Sequence, residues 1–115
     1  MKLFTHKIES QTFDIYVGTN AKENWELINN SDPFDLWLHV DEQPSGHVII
    51  KEKITNNTES NYPNQIISIA ANYCKNQSKS KNNKKLKIVY TEVLNIKKGK
   101  EVGSVIVSKP KYLFI

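Results

Sequence analysis

Apolar and polar positions alternate twice near the start of the chain, over Leu3 to Ile8 and over Phe13 to Val17, with the polar stretch Glu9-Ser10-Gln11 between them. A period of two puts every second side chain on one face, so the two segments are expected to form a short antiparallel pair ending at Gly18. The pattern then changes. Asn20 is a good helix N-cap, Glu23 stands three residues later in the capping-box position, and Trp25, Leu27 and Ile28 follow, which predicts one short helix ending near Asn29-Asn30. Asp32-Pro33 marks a turn. Leu36, Leu38 and Val40 alternate with Trp37 and His39 in a third strand, and His47 to Ile50 reads as a fourth; Gln43-Pro44-Ser45-Gly46 between them supplies hairpin chemistry.

Residues 51 to 62 are polar without periodicity and are expected to form a surface loop. From Pro63, suited to a first helical turn, Ile66, Ile69, Ala70, Tyr73 and Cys74 recur at helical spacing and define the clearest amphipathic helix of the chain. It runs into a hydrophilic connection, Lys75 to Lys85, expected on the surface. Leu86 to Val93, Ser104 to Val107 and Tyr112 to Ile115 are the closing strands, with Gly99 and Gly103 framing a turn. Strands outnumber helices, the order is roughly ββαββαβββ, and short connections favour antiparallel pairing. The expected class is α+β, in one domain spanning 1–115, because 115 residues support one core and not two.

Charge is distributed unevenly. Residues 1 to 74 carry five lysines against ten acids, whereas 75 to 115 carry eleven lysines against two, so a formal net charge of +4 conceals an acidic first part and a strongly basic second part. Lys75, Lys79, Lys81, Lys84, Lys85, Lys97, Lys98 and Lys100 fall within a stretch whose one acid is Glu92. Such a segment suits a polyanion, with interspersed Ser and Asn as further donors to phosphate. Every basic residue apart from the histidines is a lysine, so bidentate arginine readout of bases is lacking and contacts are expected to be point-charge contacts to the backbone. Trp37 and Tyr90 are candidate stacking faces, with core packing as their simpler role.

Other chemistries find less support. His6, His39, His47 and Cys74 match none of the familiar metal-ligand spacings, and no metal or cofactor is expected. Ser45 and His47 would share a side of a strand only in a regular hairpin, and no nucleophile elbow, phosphate loop or dinucleotide fingerprint accompanies them, so a hydrolase using Ser45, His47 or Cys74 ranks behind a non-enzymatic binding domain. Cys74 stands alone and cannot form an internal disulfide. No stretch approaches the roughly 18 apolar residues of a membrane span, and the first ten residues lack a signal-peptide core, so the expected location is cytoplasmic. On that expectation the sequons at Asn29, Asn56 and Asn76 carry no weight.

Three segments together resemble the RNA-binding domain of the NFACT proteins: Gly18-Thr-Asn-Ala-Lys-Glu-Asn24-Trp-Glu-Leu27, Asp35-Leu-Trp37-Leu-His39-Val40, and Pro44-Ser-Gly-His47-Val-Ile-Ile50. Ala70-Ala71-Asn72-Tyr73, Ser78-Lys79, Ile88-Val89-Tyr90-Thr91, Lys97-Lys98 and Val102-Gly103 extend the similarity from about Phe13 to the end of the chain. The chain departs from the usual pattern in reading Pro-Ser-Gly-His for the commoner Pro-Gly-Ser-His, and in Trp25, where an acidic residue is frequent.

The resemblance implies an RNA-interacting module, found in long NFACT proteins beside domains that engage stalled large ribosomal subunits and transfer RNA in ribosome-associated quality control. It also occurs in short eukaryotic relatives with a coiled coil, some associated with DNA binding. Those companions are not recognised in this sequence, which is expected to act as a standalone module without tail-elongating activity. The expected partners are RNA, either transfer or ribosomal, with DNA as an alternative, bound through the lysine-rich segment. Asn24, Trp37, His39, Ser45 and His47 match the motif and are expected to form a polar cluster linking the first helix to the hairpin, as site or as scaffold. A protein-interaction adaptor docking the hairpin on ribosomal or quality-control proteins is the alternative function.

Overall fold

A computed structural model of the protein describes residues 1–53 and 62–115. The order is β1 (Lys2–Ile8), β2 (Gln11–Val17), α1 (Ala21–Asn29), β3 (Leu36–Val40), β4 (Val48–Glu52), α2 (Asn64–Asn76), β5 (Lys87–Glu92), a single 3-10 turn (Val93–Asn95), β6 (Ile96–Lys98), β7 (Val105–Val107) and β8 (Lys111–Phe114). Six strands form one sheet in the order β1-β2-β4-β3-β5-β8, every pairing antiparallel, and β6 with β7 forms a separate two-stranded ribbon. The α+β class and the order of elements are as expected, with the short strand β6 in addition.

Alternation decides which face each strand residue serves. Phe13, Ile15 and Val17 on β2, Leu36, Leu38 and Val40 on β3, Val48 and Ile50 on β4 and Ile88 on β5 point to one face. There they pack with Ile66, Ile67, Ala70, Ala71 and Cys74 of α2 into the main core. Each fully buried aliphatic side chain here stabilises by about 1.5–3 kcal/mol. The helical stripe is wider than its periodicity suggested, since Ile67 and Ala71 are buried while Ile69 and Tyr73 lie at its margin. The opposite face holds a smaller cluster of Leu27, Trp37, Ile49, Val89, Val93 and Ile96, flanked by Tyr16, Val105 and Val107, and is covered by α1 and the β6–β7 ribbon.

Local chemistry sets the joints. The β1–β2 turn is tighter than the sequence suggests: Ile8 pairs with Gln11, and Glu9 takes the positive φ of 54° that a two-residue hairpin requires. Asn20 caps α1, its Oδ1 accepting from Glu23 N–H at 2.9 Å, but the reciprocal half of the capping box is displaced by one residue. Glu23 accepts from Thr19 N–H at 2.9 Å and Thr19 hydroxyl at 2.6 Å. The Met1 ammonium at 2.8 Å, with the Thr19 donors, lowers the Glu23 carboxyl to about 2. Replacing Asn20 with alanine is expected to cost about 1 kcal/mol in urea denaturation; a loss near zero would mean that Thr19 and Glu23 alone hold this helix end.

Three expectations need correction. Lys51 and Glu52 complete β4 rather than opening a loop, and Lys51 bridges Asp32 and the buried Asp35, each at 2.9 Å; residues 54–61 of the expected loop lie outside the described residues. The expected β3–β4 hairpin is present, the two strands pairing antiparallel, but its turn is wider than Gln43 to Gly46 suggest, because β3 ends at Val40 and β4 begins at Val48, leaving a connection over 41–47. The connection after α2 is not wholly superficial: the helix continues to Asn76, and Ser78 is buried, donating to the Lys75 carbonyl at 2.8 Å.

Candidate functional site

The wide β3–β4 connection and the β6–β7 ribbon leave the second face of the sheet partly uncovered, and a cleft of about 750 Å³ opens between them. Its walls come from the start of α1 (Thr19 to Ala21, with Asn24), the 41–47 connection, Gln77 and Lys79 after α2, and the ribbon from Glu101 to Val107; Trp37, His39, His47 and Val89 line its inner surface. That volume is within the range of small-molecule sites.

Trp37 and His39 are on this face because β3 sends Leu36, Leu38 and Val40 to the other. The Trp37 and His39 rings are stacked with centroids 5.6 Å apart, and His47 stands edge-on to both, 5.4 Å from Trp37 and 5.1 Å from His39. The His47 backbone is clamped: its N–H donates to Asn24 Oδ1 at 2.9 Å and its carbonyl accepts from Gly18 N–H at 2.9 Å. Close approach requires glycine at two points here, since a Cβ on Gly18 would meet the Asn24 amide oxygen and one on Gly46 would meet the Gly18 carbonyl. Gln77 completes the clamp by donating to the Gly46 carbonyl at 2.9 Å.

Burial makes the two imidazoles poor bases. Desolvation lowers the His39 pKa from its ordinary 6.5; desolvation, with a smaller contribution from neighbouring His39, lowers that of His47 to about 3. Both rings are neutral at physiological pH. Trp37 and His47 are 1% and 2% exposed, and Trp37 Nε1 and His47 Nδ1 have no hydrogen-bond partner among the described residues. A buried polar group left so costs about 1–3 kcal/mol.

The sequence-predicted residues are partly brought together. Asn24, Trp37, His39, Ser45 and His47 all line the cleft. Ser45 is engaged with main chain: its hydroxyl oxygen accepts from Val40 N–H at 3.3 Å, and its carbonyl, not its hydroxyl, meets His39 Nε2 at 3.2 Å. Cys74 lies across the sheet in the α2 core, where burial pushes its thiol pKa up. His6 meets Tyr73 Oη at 2.8 Å beside α2, also away from the His39–His47 pair. The described residues contain no group of three or more His, Cys, Asp or Glu placed to hold a metal. Tyr90 packs against the α2 core and Trp37 belongs to the opposite face, so the two do not form a joint stacking platform.

Of the eight lysines, Lys79 lines the cleft. Lys81, Lys84 and Lys85 are exposed on the turns that follow it, and Lys97, Lys98 and Lys100 are exposed on the ribbon and its turn. Lys98 Nζ sits 5.2 Å from the Trp25 ring centroid, while Trp25 Nε1 donates to the Ser104 carbonyl at 2.9 Å, so Trp25 ties α1 to the ribbon. Lys75 Nζ instead donates to the Ile115 carbonyl at 3.2 Å. Three acids not singled out in the sequence, Asp41, Glu42 and Glu101, also line the cleft. The signal available for them was proximity: Asp41-Glu42 directly follows the Trp-His strand, and Glu101 directly follows Lys100 at the end of the basic segment.

A helix-backed antiparallel sheet whose other face carries a polar-aromatic cleft between lysine-bearing segments defines a small α+β domain. The model of the NFACT protein RNA-binding domain matches residues 2–109, and the chain belongs to that family. Coiled-coil domain-containing protein 25 of Mus musculus is 32% identical over 92 residues, covering 79% of this chain and 44% of the relative. Its Danio rerio counterpart is 34% identical over 98 residues, covering 83% and 46%. The chain thus spans less than half the length of either. The C-terminal part of the fibronectin/fibrinogen-binding protein from Streptococcus suis has the same fold, with a TM-score of 0.78 over 90% of this chain and 40% of that one, at 24% identity. Among the described residues no helix is long and apolar enough to cross a membrane.

Proposed function

We propose that the domain binds RNA, transfer or ribosomal, by contacts from lysines on the turns after α2 and on the β6–β7 ribbon to the phosphate backbone. Beside membership of an RNA-binding family, one observation carries this reading. Lys51, Lys53 and Lys87 are each ion-paired to an aspartate, whereas Lys79, Lys81, Lys84, Lys85, Lys97, Lys98 and Lys100 make no ion pair among the described residues. Their charge is uncompensated within the fold and free to displace counterions from a nucleic acid. The contacts are sequence-independent, as lysine point charges dictate. The cleft, with three acids beside Lys79, is not itself a phosphate channel.

The test is fluorescence anisotropy with transfer RNA, single-stranded RNA and duplex DNA over a salt series, beside a variant carrying Lys79→Ala, Lys81→Ala, Lys84→Ala and Lys85→Ala. Each lost phosphate contact flattens the slope of log affinity against log salt by about 0.7 for a single strand, so the variant should lose about 3 from that slope and bind more weakly. Absence of wild-type binding at low salt, or an unchanged slope in the variant, would overturn the reading and turn the search to protein partners.

A further inference from the structure

We infer that the cleft on the second sheet face holds one unpaired nucleobase carrying an exocyclic amino group, turned in from a strand whose phosphates the flanking lysines hold. The inference rests on the RNA reading above and adds a base site to a phosphate surface. Four features of the cleft point to a flat, polar, uncharged occupant. The inner surface combines apolar side chains, Val89, Val105 and Val107, with the Trp37 and His39 rings, a lining suited to a heteroaromatic ring. Trp37 and His47, both nearly fully buried at the cleft floor, have ring nitrogens without partners among the described residues, an unmet polar demand that a base edge satisfies and a hydrocarbon does not. Glu42 and Glu101 at the walls make no ion pair among the described residues, and a carboxylate accepts from the amino groups of cytosine, adenine or guanine. Those same acids repel phosphate, so the backbone is directed outward to the lysines while the base enters. Bases splayed out of single-stranded segments are what proteins read in RNA.

The two imidazoles fit this role because they are neutral and can accept as well as donate. His39 Nε2 is held by the Ser45 carbonyl and the His47 main chain by Asn24, which fixes where the two rings sit before an occupant enters.

The experiment is titration of the full chain with free adenosine, guanosine, cytidine and uridine, followed in ¹H–¹⁵N spectra at the Trp37 indole N–H and the His47 amide. Nucleosides lack phosphate, so the readout is independent of the lysine surface. Trp25→Phe assigns the remaining indole signal to Trp37. The expected result is a saturable shift with at least one amino-bearing nucleoside, insensitive to salt, retained in a variant carrying Lys81→Ala, Lys84→Ala and Lys85→Ala, which lie outside the cleft lining, and about tenfold weaker binding in Trp37→Phe, the effect of one lost hydrogen bond. Trp37→Phe keeps a ring in the core, and its fold is checked by the Trp25 indole signal; Glu101→Gln is a second, surface variant expected to weaken the same binding. Absence of a saturable shift with any nucleoside would overturn the base site, whatever the oligonucleotide experiment gives. Equal binding of uridine would overturn the carboxylate assignment, and a shift produced by a lysine-rich peptide but by no nucleoside would show the cleft to be a peptide site instead.

Discussion

Trp37→Ala should lower the stability of the domain by about 3–5 kcal/mol, the cost of emptying a buried aromatic site that cannot collapse. Trp37 is 1% exposed and joins Leu27 of α1, Ile49 of β4, Val89 of β5 and Val93 in the smaller core. Its neighbours are sheet backbone on one side and a helix pinned by the Asn20 cap and the Trp25–Ser104 bond on the other, so little can move into the void. Trp37→Phe should cost far less, because the indole N–H it removes has no partner to lose among the described residues. Urea denaturation of the two variants beside the parent measures the difference. A loss below about 1 kcal/mol for the alanine variant would show that α1 and the ribbon contribute little to the global fold.

Acid should unfold the domain earlier than its carboxylates alone would dictate. The folded state lowers the pKa of His47 from 6.5 to about 3, by burial first and by His39 second, and burial lowers that of His39 too. A group whose folded pKa is depressed binds fewer protons in the native state than in the unfolded one. Stability is therefore full above pH 6.5 and falls as the pH drops from 6.5 towards 3, by up to about 1.4 kcal/mol per unit for His47, with His39 adding in the same direction. Chemical denaturation at a series of pH values from neutral to acid reads the slope directly. The slope between pH 6.5 and 4.5 should shrink in His47→Gln; the same slope in the variant would mean that other groups set it.

Much of this architecture was legible because period and burial agree. The alternation of Leu36, Leu38 and Val40 against Trp37 and His39 already assigns the two faces of β3, and Pro63 with the helical spacing to Cys74 assigns α2. Strand β6 escaped because Ile96-Lys97-Lys98 is too short to show a period, and it exists by pairing with β7 across the Gly99–Gly103 turn. The 41–47 connection closes a hairpin, as the turn chemistry of Pro-Ser-Gly suggests, but its width goes with tertiary ties, Gln77 to the Gly46 carbonyl and Asn24 to His47, invisible in a linear pattern. Candidate residues were found for the same mixed reason. The motif brought Asn24, His39 and His47 together, but the separation of Trp37 from Tyr90 follows from which face each strand presents, and the gathering of Asp41 and Glu42 with Glu101 from the β3–β4 connection and the β6–β7 turn lining one cleft.

The two sides of the sheet differ in what they can tolerate. Behind it, α2 seals a dry interior whose parts are mutually constrained. In front, the β6–β7 ribbon is a short appendage joined to α1 largely through the Trp25–Ser104 bond and to the sheet through a few aliphatic side chains. Changes in ribbon length, charge or tip therefore leave the load on the α2 side untouched. A fold built this way separates the wall that shapes the cleft from the scaffold that holds the sheet, so the cleft can be enlarged, narrowed or recharged from one wall alone.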